Sequence, residues 1–433
     1  MSDLKVLVVG ASIAGPMAAY WLAEAGAEAT IIERYPALRS GGQNIDIRTC
    51  GVTVVRKIPG LEAALKASLA PLEDNKAMKI VDDQDRPYIT IKGTGDAEQQ
   101  SLVSEYEIFR DDLSRILHDF TKGNERIRYV FGEQVASLRQ EKDRVFVEFA
   151  NGKLPPSNSD LVVAADGATS RTRALGMECK VRDHIEPLNA WAGYCTVPRN
   201  LLRGGKMALF STSTPGRATM IAPDHHLGRN RIVLMSSYPR SAVTAEVMRP
   251  FREAVKAGDG ATKQFLAQHF RGHPRYEEIM PAVRASDNLY ASEAVQVKAP
   301  SLHKGRFVLI GDAGYAAGPV GTGTSLAITG AYLLAGEISN HPGDLAAGLR
   351  SYESRMQPII QDMQQIPPGF PGIMTPQAPW ALSLRNAVIQ VIAALITASE
   401  FVPIAKLFSW VAATFSSSFG TDKYNIPEYN WKS

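Results

Sequence analysis

The stretch VLVVGASIAGPMAAYWLAEAGAEATIIER, from Val6 to Arg34, holds two apolar runs separated by a turn of small residues and a helix-like segment. Val6 to Val9 is continuous and rich in β-branched residues, the pattern of a strand buried on both faces of a parallel sheet. It runs into Gly10-Ala11-Ser12-Ile13-Ala14-Gly15, and Pro16 then stands in the first helical turn, where its missing N–H would lack an intrahelical partner anyway. Ala18, Ala19, Leu22 and Ala25 carry the helix toward a stop at Gly26, and Ala29 to Ile32 predict a second strand. In such a βαβ unit Gly10 permits the tight bend and Gly15 lets helix and strand pack closely. The middle position, Ser12 in place of a third glycine, is still small enough for a pyrophosphate to approach. The helix start, which includes Ile13 and Ala14, offers unpaired N–H groups and a positive dipole end to phosphates. Glu33 ends the second strand where a carboxylate accepts hydrogen bonds from a ribose 2′-hydroxyl, which favours FAD or NAD over NADP. A glycine turn alone also suits a purely structural loop; the full order of strand, turn, helix, strand and acid points to a dinucleotide.

Two later stretches bear on which dinucleotide. In DLVVAADGATSRTRALG, Leu161 to Ala165 reads as a buried strand that delivers Asp166-Gly167, followed by Ser170, Arg171 and Arg173. In RFVLIGDAGYAAGPVGTGTSLAITGAYLLAGEI, Phe307 to Ile310 reads as another strand, ending at Gly311-Asp312. The chain then passes Pro319, Gly321 and Gly323 into a helix from about Ser325 to Ile338. A strand ending in Gly-Asp sets a carboxylate at the carboxyl edge of the sheet, in reach of ribityl hydroxyls. The Pro-x-Gly-x-Gly turn opens a helix whose N–H groups can face the negatively polarised edge of a reduced isoalloxazine.

Taken together, the GxSxxG turn with Glu33, the Asp166-Gly167 segment and the Gly311-Asp312 segment resemble the FAD-dependent monooxygenases of the para-hydroxybenzoate hydroxylase type, in that family's order and spacing from Gly10 to about Ile338. The resemblance implies FAD as cofactor, NADPH or NADH as transient co-substrate, and hydroxylation of an electron-rich substrate by O2 through a flavin C4a-hydroperoxide. It assigns Arg110, which opens a helix in EYEIFRDDLSRIL, to the flavin side of the site. It also brings RSGGQNIDIR, with Gly41, Gly42, Asp46 and Arg48, past the flavin ring. Arg34, Val135 and Thr324 complete the expected cofactor contacts. Two positions depart from the pattern: Tyr315 stands where family members often carry histidine, and Thr324-Ser325 where they often carry asparagine.

The resemblance implies a discontinuous Rossmann-like FAD-binding domain over 1–75, 105–179 and 285–370, with a parallel sheet. A substrate domain of mostly antiparallel sheet is expected over 76–104 and 180–284, and a C-terminal helical segment over 371–433. Short alternating runs such as MALFSTS, ATMIAP and RIVLMSSY support that sheet, with one face toward a pocket. Trp191, Tyr194, Met207, Phe210, Arg217 and Met220 are candidates for its lining, Tyr194, Arg217 and Met220 foremost, although such residues are more often core.

Composition bounds the remainder. A net charge of +3, from 47 basic and 44 acidic residues interspersed along 433, gives no reason to expect a nucleic-acid partner. The cysteines, Cys50, Cys179 and Cys195, are far apart, so buried free thiols in a reducing, cytoplasmic setting are expected, with no metal site. His225-His226 and the pair His269 and His273 lack acidic or thiol partners nearby, and surface or capping roles are expected of them. The first strand begins by Leu4, so no secretory signal is expected. After the proline-rich IPPGFPGIMTPQAPW, the charge-free NAVIQVIAALITAS from Asn386 is too short to span a bilayer, and Glu400, Pro403 and Lys406 separate it from the next apolar piece. A helix packed on the rest of the chain is the first reading, an interfacial membrane helix or a dimer contact the second. The activity expected is a monooxygenase acting on an aromatic, phenolic or enolic small molecule, in a monomer or dimer. Epoxidation, Baeyer-Villiger oxygen insertion and a non-catalytic FAD-binding redox protein are the alternatives.

Overall fold

The computed structural model describes residues 4–39, 41–68, 77–92, 106–224, 228–399 and 423–431. A six-stranded sheet takes the order His303–Lys304, Phe307–Leu309, Leu161–Ala164, Lys5–Val9, Glu28–Glu33, Ile127–Phe131. Its neighbours run parallel except for the short edge strand His303–Lys304. The apolar run Val6–Val9 is buried on both faces, as its pattern predicts. Val6 and Val8 pack with Val163 and Val308 toward the helices Ala14–Glu24 and Gly323–Asn340. Leu7 and Val9 pack with Val162 and Leu309 toward a second, antiparallel sheet through Val145 and Val147. Each such aliphatic side chain removed from water contributes about 1.5–3 kcal/mol.

The other large sheet has seven strands, in the order Tyr290–Val297, Ile185–Val197, Asn230–Ser237, Arg217–Pro223, Ala208–Ser213, Ala77–Val81, Pro87–Lys92. All its pairs are antiparallel except Ala208–Ser213 with Ala77–Val81. The fold is thus the expected combination of a Rossmann-like parallel sheet and a mostly antiparallel one. Tyr290–Val297, placed by the expected division in the nucleotide-binding part, is the edge strand of the seven-stranded sheet. Helices between Thr244 and Ala285, which the alternating pattern did not announce, cover one face of this sheet. Trp191 lies in that covered core, 1% exposed and stacked on Phe251 at 5.0 Å, so it is a packing residue.

The surface or capping roles expected of the histidines do not hold for His269 and His273. His273 is buried and His269 half-buried among Trp191, Phe265 and Phe270, because their rings complete the aromatic core under the sheet. His225 and His226 lie outside the described residues.

The helix Pro379–Ser399 follows the proline-rich linker, and its Ile389 packs with Met374 against Phe210, Met220 and Met235 of the seven-stranded sheet. Beyond it the described tail, 423–431, is not helical, a departure from the helical segment expected over 371–433. It is a strap: the Trp431 ring stacks on Trp21 at 4.8 Å, and the Tyr429 hydroxyl donates to Glu337 Oε1 at 2.5 Å. Among the described residues no helix is long and apolar enough to cross a membrane. Cys50 and Cys195 are buried and all the cysteines are free thiols, as expected.

Candidate functional site

The first strand ends in a turn that only glycine can make. Gly10 sits at φ +113°, and a Cβ there would lie 2.5 Å from the carbonyl oxygen of Ala165. A Cβ on Gly15 would meet the Gly10 carbonyl oxygen at 1.8 Å, so the helix Ala14–Glu24 starts directly against the turn. Glu33, at the end of its strand, accepts from Ala11 N at 3.0 Å and from Tyr35 N at 3.1 Å, which ties the turn to the strand end. The Ser12 hydroxyl lies 3.2 Å from that of Ser114 on the helix Arg110–Thr121. Arg34 is exposed beside Tyr35, and Val135 opens the strand Val135–Gln140, packing on the core that includes Val9 and Ile32.

Asp312 comes directly after Gly311, whose φ of +57° turns the chain where a Cβ would stand 3.0 Å from Ala14 Cβ. Asp312 is exposed to solvent, yet crowding by the surrounding protein raises its carboxyl above the ordinary range, with Arg110 opposing. Both properties belong to a group on the floor of a concave cleft. Arg110 feels the charges of Asp312 and Glu33, while burial first, and Arg39 next, lower its pKa. Residues from separate motifs thus converge on one cleft, with Gly323 beside Asp312 at the start of the long helix.

Asp166 acts within its own loop. Its carboxylate accepts from the Ser170 hydroxyl and from Thr172 N and Oγ1, at 3.2 and 2.9 Å for the last two. Arg173, completely buried, makes the long-range link. Its guanidinium donates to the carbonyl oxygens of Ala313 at 2.7 Å, Ala168 at 3.0 Å and Val181 at 2.7 Å. The Asp166-Gly167 segment therefore fixes the Gly311-Asp312 segment through backbone carbonyls. Tyr315 points into the core, its hydroxyl 3.1 Å from that of Tyr352, so its departure from histidine concerns packing. Ser325 Oγ accepts from Arg48 N at 2.7 Å, and Thr324 is 9% exposed beside it.

A two-stranded antiparallel ribbon, Asn44–Asp46 with Glu107–Phe109, stands between the two large sheets. Ile45 and Ile108 face the helical core, which leaves Asn44, Asp46, Glu107 and Phe109 on the other face. Asp46 pairs with Arg48 at 3.0 Å and lies next to Gly321, where a Cβ would be 3.0 Å from Asp46 Oδ2. Glu107 stands opposite Asp46 and accepts from Asn44 Nδ2 at 2.8 Å; it is exposed to solvent, yet crowding by the surrounding protein, then Asp46, pushes it up to about 7.

Across from the ribbon is the face of the seven-stranded sheet that the helices between Thr244 and Ala285 leave free and that the helix Pro379–Ser399 covers in part. A narrow cleft with an open mouth is lined by Tyr194, Met220, Arg231 and Val233 of the sheet and by Gly42 and Asn44 of the ribbon segment. Arg217 is elsewhere: its guanidinium donates to the carbonyl oxygens of His269 at 3.2 Å, Arg271 at 2.8 Å and Thr214. Arg231 and Glu107 escaped the sequence reading. The only signal for Arg231 is its place at the head of RIVLMSSY, where alternation puts it on the face of Val233 and Met235.

A parallel sheet with a glycine-cradled cleft at its carboxyl edge, roofed by an antiparallel sheet, defines a dinucleotide-dependent enzyme class. The model of the FAD binding domain family matches residues 3–366, and the chain belongs to that family. It is 30% identical over 417 residues to the FAD-dependent monooxygenase asL4 of Sarocladium schorii, covering 91% of this chain and 94% of that one. Among solved structures, tetracycline destructase Tet(51) superposes with a TM-score of 0.71 at 24% identity, covering 92% of this chain and 97% of that one. HpxO of Klebsiella pneumoniae, solved with FAD and uric acid, superposes with a TM-score of 0.67 at 20% identity, covering 89% and 92%. The protein is an FAD-dependent monooxygenase of this family.

The residues present fit the cofactor. Close backbone approach at Gly10 and Gly15 leaves the helix start bare of side chains for a pyrophosphate, and the solvent-open Asp312 carboxylate can accept from ribityl hydroxyls.

Proposed function

We propose that the protein uses NADPH or NADH and O2 to hydroxylate an electron-rich aromatic, phenolic or enolic small molecule. The observation that carries this reading is the facing of two surfaces: the cleft of Gly10, Arg110 and Asp312 on one side, and the sheet face of Tyr194 and Met220 on the other, with the ribbon between. FAD, when bound, supplies the electron transfer and oxygen activation. Gly10, Ser12, Ile13, Ala14 and Gly15 hold the pyrophosphate, and Glu33 binds ribose, with Arg34 and Val135 toward the adenine end. Asp312 accepts from the ribityl chain. Arg110, Pro319, Gly321, Gly323 and Thr324 border the ring, while Asp166 keeps the Gly311-Asp312 segment in place through its own loop. Tyr194 and Met220 hold the substrate and exclude water from the reacting face. The nicotinamide has no Rossmann turn of its own in the sequence and is a transient visitor.

The test is direct. The purified protein is expected to be yellow and to release FAD on denaturation. Oxidation of NADPH or NADH, with O2 uptake, should then rise when an accepted phenolic or enolic compound is added. Bound FAD with no compound accelerating either nicotinamide would leave a flavin-binding protein without the proposed activity.

A further inference from the structure

We propose that Arg231 and Asp111 form a subsite for a neutral hydroxyl group on a planar ring, a phenol or an enol; the proposal rests on the reading of the cleft as the substrate site. Arg231 heads the strand Asn230–Ser237 and shares the cleft-facing side of the sheet with Val233, Tyr194 and Met220. It is 7% exposed. Its Nε donates to Asp224 Oδ2 at 2.9 Å, and its guanidinium lies over the Phe109 ring, 3.0 Å from the centroid. These contacts fix the plane of the group and leave Nη1, a buried donor, without a hydrogen-bond partner.

Opposite it stands Asp111 Oδ1, a buried acceptor that also lacks a hydrogen-bond partner. The two atoms form an ion pair at 3.6 Å, too long for a hydrogen bond, while Asp111 Oδ2 is held by Gly41 N at 2.8 Å. The ion pair balances the charges but leaves a buried donor and a buried acceptor without a hydrogen bond, and a third group that completes both is favoured. A hydroxyl does so: its oxygen accepts from Arg231 Nη1 and its hydrogen goes to Asp111 Oδ1. A carboxylate would bring a third negative charge to a guanidinium already matched by Asp224 and Asp111. The rest of the cleft wall is Tyr194, Met220, Ala222 and Val233, suited to an apolar ring.

The experiment uses the FAD-loaded protein and four probes of one shape: 1-naphthol, 1-methoxynaphthalene, naphthalene and 1-naphthoate. Binding is read from the change each causes in the flavin absorption spectrum, without turnover. The expected order has 1-naphthol about tenfold tighter than 1-methoxynaphthalene and naphthalene, as for one charge-assisted hydrogen bond in a closed site, and 1-naphthoate weakest. Arg231→Met should abolish the tenfold preference while naphthalene binds as before. In Asp111→Asn the amide oxygen stays with Gly41 N and the amide nitrogen faces Arg231, so the same preference should vanish with Arg231 still in place. If Arg231→Met fails to fold or loses FAD, Asp111→Asn and Arg231→Lys carry the test. An unchanged preference in the variants, a preference for 1-naphthoate, or no spectral change with any probe would overturn the subsite. If the hydroxyl preference holds while no phenol stimulates NADPH or NADH oxidation, the subsite stands and the hydroxylase reading falls.

Discussion

The two large sheets build their halves of the cleft from different parts of the chain. In the six-stranded sheet the central strands are buried on both faces, and the groups that reach the cleft come from the carboxyl ends of strands: bare backbone at Gly10 and Gly15, and the carboxylates of Glu33 and Asp312. In the seven-stranded sheet one face is sealed by helices, and the other, partly covered by the helix Pro379–Ser399, meets the cleft with side chains, Tyr194, Met220 and Arg231. The first arrangement holds a ligand by N–H groups and dipoles that any sequence supplies once the turn is right. The second holds it by particular atoms whose position depends on strand register. Substitutions in the first half should therefore weaken or abolish cofactor binding, whereas those in the second should alter selectivity in a protein that still binds it.

The largest effect is expected at Gly15. A Cβ there would meet a backbone oxygen at 1.8 Å, which no side-chain rotation relieves, so Gly15→Ala should yield protein without FAD, or no soluble protein. Retained FAD in that variant would break the comparison at its root. Arg173→Met comes next. It leaves the buried carbonyls of Ala313, Ala168 and Val181 without their charged donor, and a loss of about 3 kcal/mol is expected in denaturant unfolding, with weaker FAD retention because the Asp312 segment loosens. Asp312→Ala should preserve the unfolding midpoint of the apoprotein and weaken FAD binding about 10- to 100-fold, measured by fluorescence titration. Equal losses of fold and affinity would mean that Asp312 is structural.

The same contrast explains which residues were legible. The positions of Gly10, Gly15, Glu33 and Asp312 at strand ends could be read because they stand at fixed offsets from apolar runs, and the sheet buries those runs as predicted. On the antiparallel side the strands were legible by alternation, but not which face the helices would seal. Trp191 and Arg217 therefore stood as candidates beside Tyr194 and Met220, although the structure sends Trp191 to the helical core and Arg217 to the carbonyls of His269 and Arg271. Arg231 could not be found that way, since its importance lies in the ion pair it forms, without a hydrogen bond, with Asp111, 120 positions earlier in the chain. His273 escaped for a similar reason: an i, i+4 pair on a helix does not tell whether its face is covered.

The smallest effect sharpens the border between the halves, where the ribbon lies. Glu107 is exposed on the ribbon and faces Asp46 across the ladder, with Asn44 and the Asp46–Arg48 pair as its polar neighbours, and crowding by the surrounding protein followed by Asp46 pushes it up to about 7 from 4.5. A carboxyl raised on folding is protonated in the native state where the unfolded chain has already lost its proton. Its contribution to stability is complete below 4.5 and is lost as the pH rises to about 7, after which it is flat. Glu107→Gln keeps a neutral group in the same place at every pH. The thermal midpoint of the wild type should therefore fall relative to the variant across that window and run parallel to it above. His273, buried and held down to about 4, changes stability in the opposite sense, which is lost as the pH falls below 6.5, and it does so equally in both proteins. Curves that stay parallel from pH 4.5 to 7 would show that Glu107 titrates in the folded protein as it does in the unfolded chain and that the ribbon carries no electrostatic load between the two sheets.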